Sequence, residues 1–147
     1  MNKKLIWSLI TIVFLVAAGG WFFGFRGRGP LQTGEVRIQT QVFKVEIADN
    51  MMSRAQGLSG REKLDDNEGM FFVFGTSSVQ GFWMKDMKFA LDMIWIKGEK
   101  IVGFAENVKP EPEKSIFGLT VYYSPEAVDR VLEVKAGTVA KNGFKVG

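Results

Sequence analysis

Apolar residues are arranged in two different ways along this chain, and the change falls near residue 30. Leu5 to Phe25 is a run of 21 residues without a charge, in which only Ser8 and Thr11 are polar. At about 1.5 Å rise per residue, a helix of that length spans roughly 30 Å, the hydrocarbon thickness of a bilayer. The run is apolar on every face, which does not suit a helix packed on one side of a soluble core. Lys3 and Lys4 precede it, Arg26 and Arg28 follow it, and Trp7 and Trp21 to Phe25 put aromatics near both ends. Residues 1–25 therefore read as a signal anchor, a transmembrane helix, with the basic bias favouring a cytoplasmic N-terminus and an exported remainder. The competing reading is a cleaved signal peptide. Ala18-Gly19-Gly20 offers a small-residue site, but the apolar run continues past it through Trp21-Phe22-Phe23. Both readings export the rest of the chain. A Gly/Arg-rich linker over 26–34 marks the domain boundary.

From residue 35 onward the apolar positions come in short runs. Residues 35–47 alternate as a strand, with Val36, Ile38 and Val42 on one phase and Phe43, Val45 and Ile47 on the other. That phase switch predicts a bulge or sharp bend near Gln41-Val42. Asp49-Asn50 offers an N-cap to a short helix with Met51, Ala55 and Leu58 on one face, limited by Gly57 and Gly60. Gly69 to Phe74 reads as a strand buried on both faces. Gln80 to Met84 and Leu91 to Ile96 read as two more. Lys97-Gly98-Glu99-Lys100 is a hairpin turn into Ile101 to Val108. Pro110 and Pro112 open a long loop. Leu119 to Tyr123 reads as extended, Ala127 to Lys135 as a strand, Ala136 to Asn142 as a helical turn and Gly143 to Gly147 as a terminal strand. Many short strands, one or two short helices and no βαβ rhythm predict a mainly β domain over residues 35–147: a small antiparallel barrel-like or two-sheet fold.

Composition narrows the chemistry. The 147 residues include no cysteine and no histidine. This chain alone thus builds no disulfide, no thiolate nucleophile, no Ser-His-Asp triad and no zinc site with sulfur or nitrogen ligands. The net charge of +3 belongs to the tail: residues 1–30 hold four basic residues and no acid, which leaves 15 basic against 16 acidic residues, or −1, for the rest. A domain without net positive charge lacks the electrostatic basis of nucleic-acid binding.

Five blocks then appear in order: Arg54-x-x-Gly57-Leu58-x-x-Arg61, Glu68-Gly69-Met70-Phe71-Phe72-x-Phe74, Phe82-Trp83-Met84-Lys85, Leu91-Asp92-Met93 and Val131-Leu132-Glu133-Val134-x-Ala136-Gly137. Together they resemble the DUF192 family, a bacterial and archaeal domain of unknown function, over about residues 36–147. The resemblance implies a small β-rich fold, often behind an export signal or anchor, and carries no established activity. The chain departs from the family pattern at Ser59, where Met is usual, at Asp86-Met87, where Asn-Thr is usual, and at Phe89-Ala90, where Ile-Pro is usual.

Several residues are candidates for function, each with a plainer structural reading. Strand alternation puts Trp83 and Lys85 on one face, where an aromatic platform beside a cation suits a sugar, a cofactor ring or a partner's side chain; core packing with a snorkelling lysine is the plainer account. Arg54 and Arg61, seven apart, suit a carboxylate or phosphate, or else bridge helix to sheet through backbone carbonyls or a buried acid. Asp92 interrupts an apolar strand and must be paired or hydrogen-bonded; an ion pair with Lys85, Arg54 or Arg61 competes with a perturbed catalytic acid, and Glu133 raises the same question. Asp65-Asp66-Asn67-Glu68 lacks the order of a calcium loop. No metal or cofactor is expected. The sequence thus predicts a membrane-anchored extracytoplasmic domain, leaning away from enzyme, that binds a small anionic or sugar-like ligand or an envelope protein through Arg54, Arg61, Trp83, Lys85 and Asp92. The alternatives are an envelope enzyme using Asp92 and Glu133 as a carboxylate pair, and a structural subunit assembling through its N-terminal helix.

Overall fold

A computed structural model describes residues 31–147, together with the backbone of Ile12–Val13. The rest of the predicted anchor and residues 26–30 of the predicted linker lie outside the described residues, while Thr33 and Gly34, expected in the linker, begin a strand. No described helix is long and apolar enough to cross a membrane.

Six strands of the domain form one mixed sheet: β2 (Thr33–Ile38), β3 (Gln41–Ala48), β4 (Glu68–Ser78), β9 (Val128–Lys135), β6 (Leu91–Lys97) and β7 (Lys100–Val108), in that spatial order. The pair Ile12–Val13, β1, adds to the outer edge of β2. A second, two-stranded ribbon joins β5 (Gly81–Phe82) to β8 (Tyr122–Tyr123). Two short helices complete the fold, α1 (Met51–Gln56) and α2 (Thr138–Asn142).

Four expectations need correction. The phase switch near Gln41 is a hairpin rather than a bulge: Ile38 pairs with Gln41, and Gln39 opens the two-residue turn at φ 55°. The sheet is not all antiparallel, because β3 and β4 run parallel with α1 between them. The helix itself is predicted, but at six residues with none of its side chains buried it gives no sign that it links parallel strands. The sheet does not close into a barrel, since its two edges do not pair with each other. Finally, residues 143–147 form no strand; Phe144 packs into the core and the Gly147 amide donates to the Ile101 carbonyl.

The three inner strands carry the core on both faces. Phe71, Ile94, Ile96, Leu132 and Val134 join Val36, Ile38 and Phe43 on one face, closed by Val139 and Phe144. Met70, Phe72, Met93, Trp95 and Val131 line the other, covered by Leu58, Leu64, Met84 and Met87. Every buried hydrophobic side chain falls between Val36 and Phe144, so the described domain holds its own core.

Asp92 is fully buried on the first of these faces. Its Oδ1 accepts from the Asn107 amide at 2.8 Å, where the β6–β7 register shifts and Asn107 takes φ 52°. Its Oδ2 accepts from the Val139 amide at 2.9 Å, in the first turn of α2. Gly137, the N-cap of α2, has no side chain to cap with, and a carboxylate from another strand takes over that role. Asp92→Ala should therefore leave two buried N–H groups unsatisfied and cost on the order of 2–5 kcal/mol. Urea unfolding of the domain checks this; a loss below about 1 kcal/mol would show that the carboxylate is dispensable.

Candidate functional site

The predicted site residues do not converge. Arg54 Nη1 donates to the Asp49 carbonyl at 2.7 Å and to the Val73 carbonyl at 3.0 Å, and its guanidinium lies 5.3 Å from the Phe74 ring centre. It fastens the C-terminal end of α1 to β4. Arg61 pairs with Glu46 at 2.6 Å rather than with Asp92 or Glu133. The two arginines share no helical face, because α1 ends at Gly57, where φ is 50°. Asp92 faces the opposite side of the sheet from Lys85's neighbours Met84 and Met87. The predicted strand from Gln80 to Met84 shortens to Gly81–Phe82, after which the chain turns with the Met87 amide donating to the Met84 carbonyl at 3.3 Å. Alternation still holds across it: Phe82 packs edge-on against Phe72 and Trp95, Met84 is buried, and Trp83 is 44% exposed.

Lys85 is the one predicted residue that lines a cleft. This cleft, of about 380 Å³, lies between the turn Met84–Lys88 with Gly60 on one wall, and Glu111, Pro112, Lys114, Ile116 and Leu119 on the other. Each wall is held locally. Ser59 Oγ donates to the Lys85 carbonyl at 2.8 Å and the Gly60 amide to the Asp86 carbonyl at 2.9 Å, which ties the turn to the segment after α1. Asp86 sits at φ 54°, a left-handed conformation that Asp tolerates better than most residues. On the facing wall Glu111 clasps the loop closed. It pairs with Lys114 and accepts from the Thr120 amide at 2.8 Å and the Thr120 hydroxyl at 2.7 Å. The Lys114 ammonium first, then Thr120, hold the Glu111 carboxyl well below its ordinary range, at about 2. It is thus charged at neutral pH.

The chemistry of the cleft is amphipathic. Met84 and Met87 form part of its floor with little surface exposed; Ile116 and Leu119 add branched aliphatic surface. Three lysines belong to its lining, Lys85, Lys88 and Lys114, and the ammonium group of each has an acidic neighbour: Asp86 at 3.5 Å, Glu62 and Glu111 respectively. Sequence reasoning singled out Met84 beside Trp83 but missed Met87 and the whole far wall. The available signal was the Pro110–Tyr123 loop, whose Ile116, Phe117 and Leu119 are unusually apolar for an irregular segment.

The carboxylate pair of the enzymatic alternative is not assembled. In the β6–β9 ladder Asp92 stands opposite Val134 and Met93 opposite Glu133, so the two acids leave neighbouring strands toward opposite faces of the sheet. Glu133 instead lies between Met70 and Met93 on adjacent strands, 5% exposed, with no hydrogen-bond partner for its carboxyl among the described residues. Burial pushes its pKa up to about 8. Elsewhere, Asp66 meets Lys135 at 2.7 Å and Lys141 at 3.3 Å, and chiefly the Lys135 contact lowers its pKa. Among the described residues no group of acidic side chains could hold a metal ion.

A small β domain with both sheet faces covered and one amphipathic cleft is the class these features define. Residues 34–147 match the DUF192 family, described as an uncharacterized ACR, and the chain belongs to that family. Two solved structures are similar to it. One, from Sinorhizobium meliloti, has a suggested role as a transcription regulator; it is 33% identical, with a TM-score of 0.66, and the match covers 78% of this chain and 81% of that one. The other is a protein of unknown function from Novosphingobium aromaticivorans, 25% identical with a TM-score of 0.72, covering 100% of this chain and 96% of that one. No curated protein matches the sequence.

Glu133 makes stability depend on pH. Its folded pKa is raised, so its favourable contribution is complete below about 4.5 and is lost as pH rises toward about 8. Stability should fall by several kcal/mol across that window, and Glu133→Gln should flatten the profile. Equal slopes for both proteins in urea melts from pH 5 to 8.5 would show that the carboxyl is solvated.

Proposed function

We propose that this protein is a membrane-anchored extracytoplasmic binding module whose cleft takes a small amphiphile with an anionic head. The observation that carries the reading is the pairing of aliphatic residues over a methionine floor with three lysines in one cleft. An alkyl chain suits the aliphatic surface, and a carboxylate or phosphate suits Lys85 and Lys88, whose own partners are exposed surface acids that screen them weakly. The anchor rests on the uncharged Leu5–Phe25 run. Inserting it gives up the two-residue pairing of Ile12–Val13 with β2, a few hydrogen bonds of about 1 kcal/mol each, which an intramembrane helix makes internally instead. A role on nucleic acid, the suggested one for the Sinorhizobium meliloti relative, finds no support in a domain of 15 basic and 16 acidic residues.

Calorimetry with dodecyl phosphate and dodecyl maltoside below their micellar concentrations tests the ligand class. The phosphate should bind the full-length protein more tightly than the maltoside. Lys85→Ala/Lys88→Ala should weaken only the phosphate, at least tenfold, while Trp83→Ala, outside the cleft, leaves both within about twofold. No binding of either, or equal loss of both, sinks the proposal. For the anchor, the full chain should stay in the membrane fraction after an alkaline carbonate wash, with the domain open to protease from outside the cell membrane. Release by the wash rules the anchor out.

A further inference from the structure

The exposed apolar side chains are unevenly distributed. Nine large hydrophobic residues are exposed among those described: Met51, Met52, Val79, Trp83, Ile116, Phe117, Val121, Tyr123 and Val146. Eight of them sit on elements that cover a single face of the sheet, the one lined by Met70, Phe72, Met93 and Trp95; Val146 at the C-terminus is the exception. Two segments carry six of the eight, 79–83 and 116–123, and the β5–β8 pairing holds these side by side, with Gly81 opposite Tyr123. Gly81 leaves room for the rings: a Cβ there would come within 2.9 Å of both Tyr123 and Val121. Ahead of the ribbon, the Gly118 amide closes on the Ser115 carbonyl at 2.8 Å, a turn whose central residues are Ile116, 47% exposed, and Phe117, 99% exposed. A phenylalanine at a turn apex with its whole side chain in water is costly unless something covers it.

The entry of the chain identifies the cover. Leu31 packs against the core of this same face, and the Gln32 carbonyl accepts from the Ile47 amide at 2.8 Å, just before exposed Met51 and Met52. Between Phe25 and Thr33 lie only seven residues, at most about 25 Å of extended chain. A domain so tethered stays within a protein's width of the bilayer, and its apolar face is the one nearest the tether. The residue types match the interfacial zone as well: Trp83, Tyr123 and Phe117 with Lys114 nearby.

We infer that this face lies on the membrane, with the Ser115–Gly118 turn inserting Ile116 and Phe117 among the lipid headgroups. The orientation rests on the anchored reading; the affinity of the face for lipid does not. Ile116 also lines the cleft, so docking brings the cleft mouth to the lipid surface.

The test uses the domain from Leu31 to Gly147, which holds its own core, and vesicles of phosphatidylcholine and phosphatidylglycerol. In sedimentation, the wild-type domain should partition onto vesicles. Ile116→Asp/Phe117→Asp should lose at least tenfold in partition at an unchanged melting temperature, while Val146→Asp binds as wild type. Failure of the wild-type domain to bind, equal behaviour of the two variants, or Phe117-dependent self-association without vesicles overturns the inference. In the full chain, which has no cysteine, Phe117→Cys bearing a nitroxide should collide more with oxygen than with a water-soluble nickel chelate. The reverse overturns it even where the anchor is inserted. Nitroxides within residues 5–25 that prove water-exposed sink the anchor alone, and vesicle binding by the domain still decides the docking face.

Discussion

The structure depends on the fact that β4, β9 and β6 are apolar on both faces. β9 is paired on each side and carries Val131 toward one core and Leu132 and Val134 toward the other. A sheet buried twice must be covered twice, and a domain of this length has little helix to do it with. α2 has five residues and α1 has six, of which none is buried. The covering layers are therefore made of turns and irregular chain, whose backbone groups need partners other than their own helix or sheet. Ser59 on the Lys85 carbonyl, Gly60 on the Asp86 carbonyl and Glu111 on Thr120 are those partners. Close approach matters inside the sheet too: a Cβ on Gly69 would come within 2.6 Å of the Glu133 carbonyl, so β4 can lie this near to β9 only with glycine there.

The two buried acids take opposite routes to tolerance. Asp92 keeps its carboxylate satisfied with two backbone amides and fixes a bulge and a helix start at once. Glu133, between two methionines, has no such donors and stays protonated instead. A carboxyl placed in sulfur and hydrocarbon surroundings lowers stability at higher pH, a cost borne in a strand paired on both sides. Both acids look alike in the sequence, single carboxylates within apolar strands. What separates them is which neighbours the ladder register delivers, and register is a property of the paired strands rather than of either one alone.

The same distinction sets what could be read from residues alone. The inner strands were legible because Gly69 to Phe74 is a short apolar run that reads as a doubly buried strand and Leu91 to Ile96 also reads as a strand. The Lys97–Lys100 hairpin was legible from Gly98. The parallel β3–β4 crossover was not, since the short exposed helix that was predicted there does not announce one, and neither was the hairpin at Gln39-Thr40, whose residues give no strong turn signal. Of the predicted site, Arg54 bridges helix to sheet through backbone carbonyls, Asp92 is held by two backbone amides rather than by the expected ion pair with Lys85, Arg54 or Arg61, and Lys85 alone reaches the cleft. The facing wall stayed hidden because it comes from a loop more than 20 residues further along the chain.

Coverage by loops also explains why a cleft and an apolar surface occur on one side. The face lined by Val139 and Phe144 is sealed by a helix and the chain terminus, and it exposes little. The other is roofed by the 84–88 turn, the β5–β8 ribbon and the 111–120 loop, which meet along seams rather than interlocking as a helix does with a sheet. A seam between two turns leaves a cleft, and turns that hold apolar residues without burying them leave a patch. Folding stability gains nothing from Phe117 at an apex in water, so its presence there is explained by contact with something outside the domain. If residues 5–25 are inserted as proposed, the seven residues between Phe25 and Thr33 keep the domain beside the bilayer and make the bilayer the apolar phase nearest to hand.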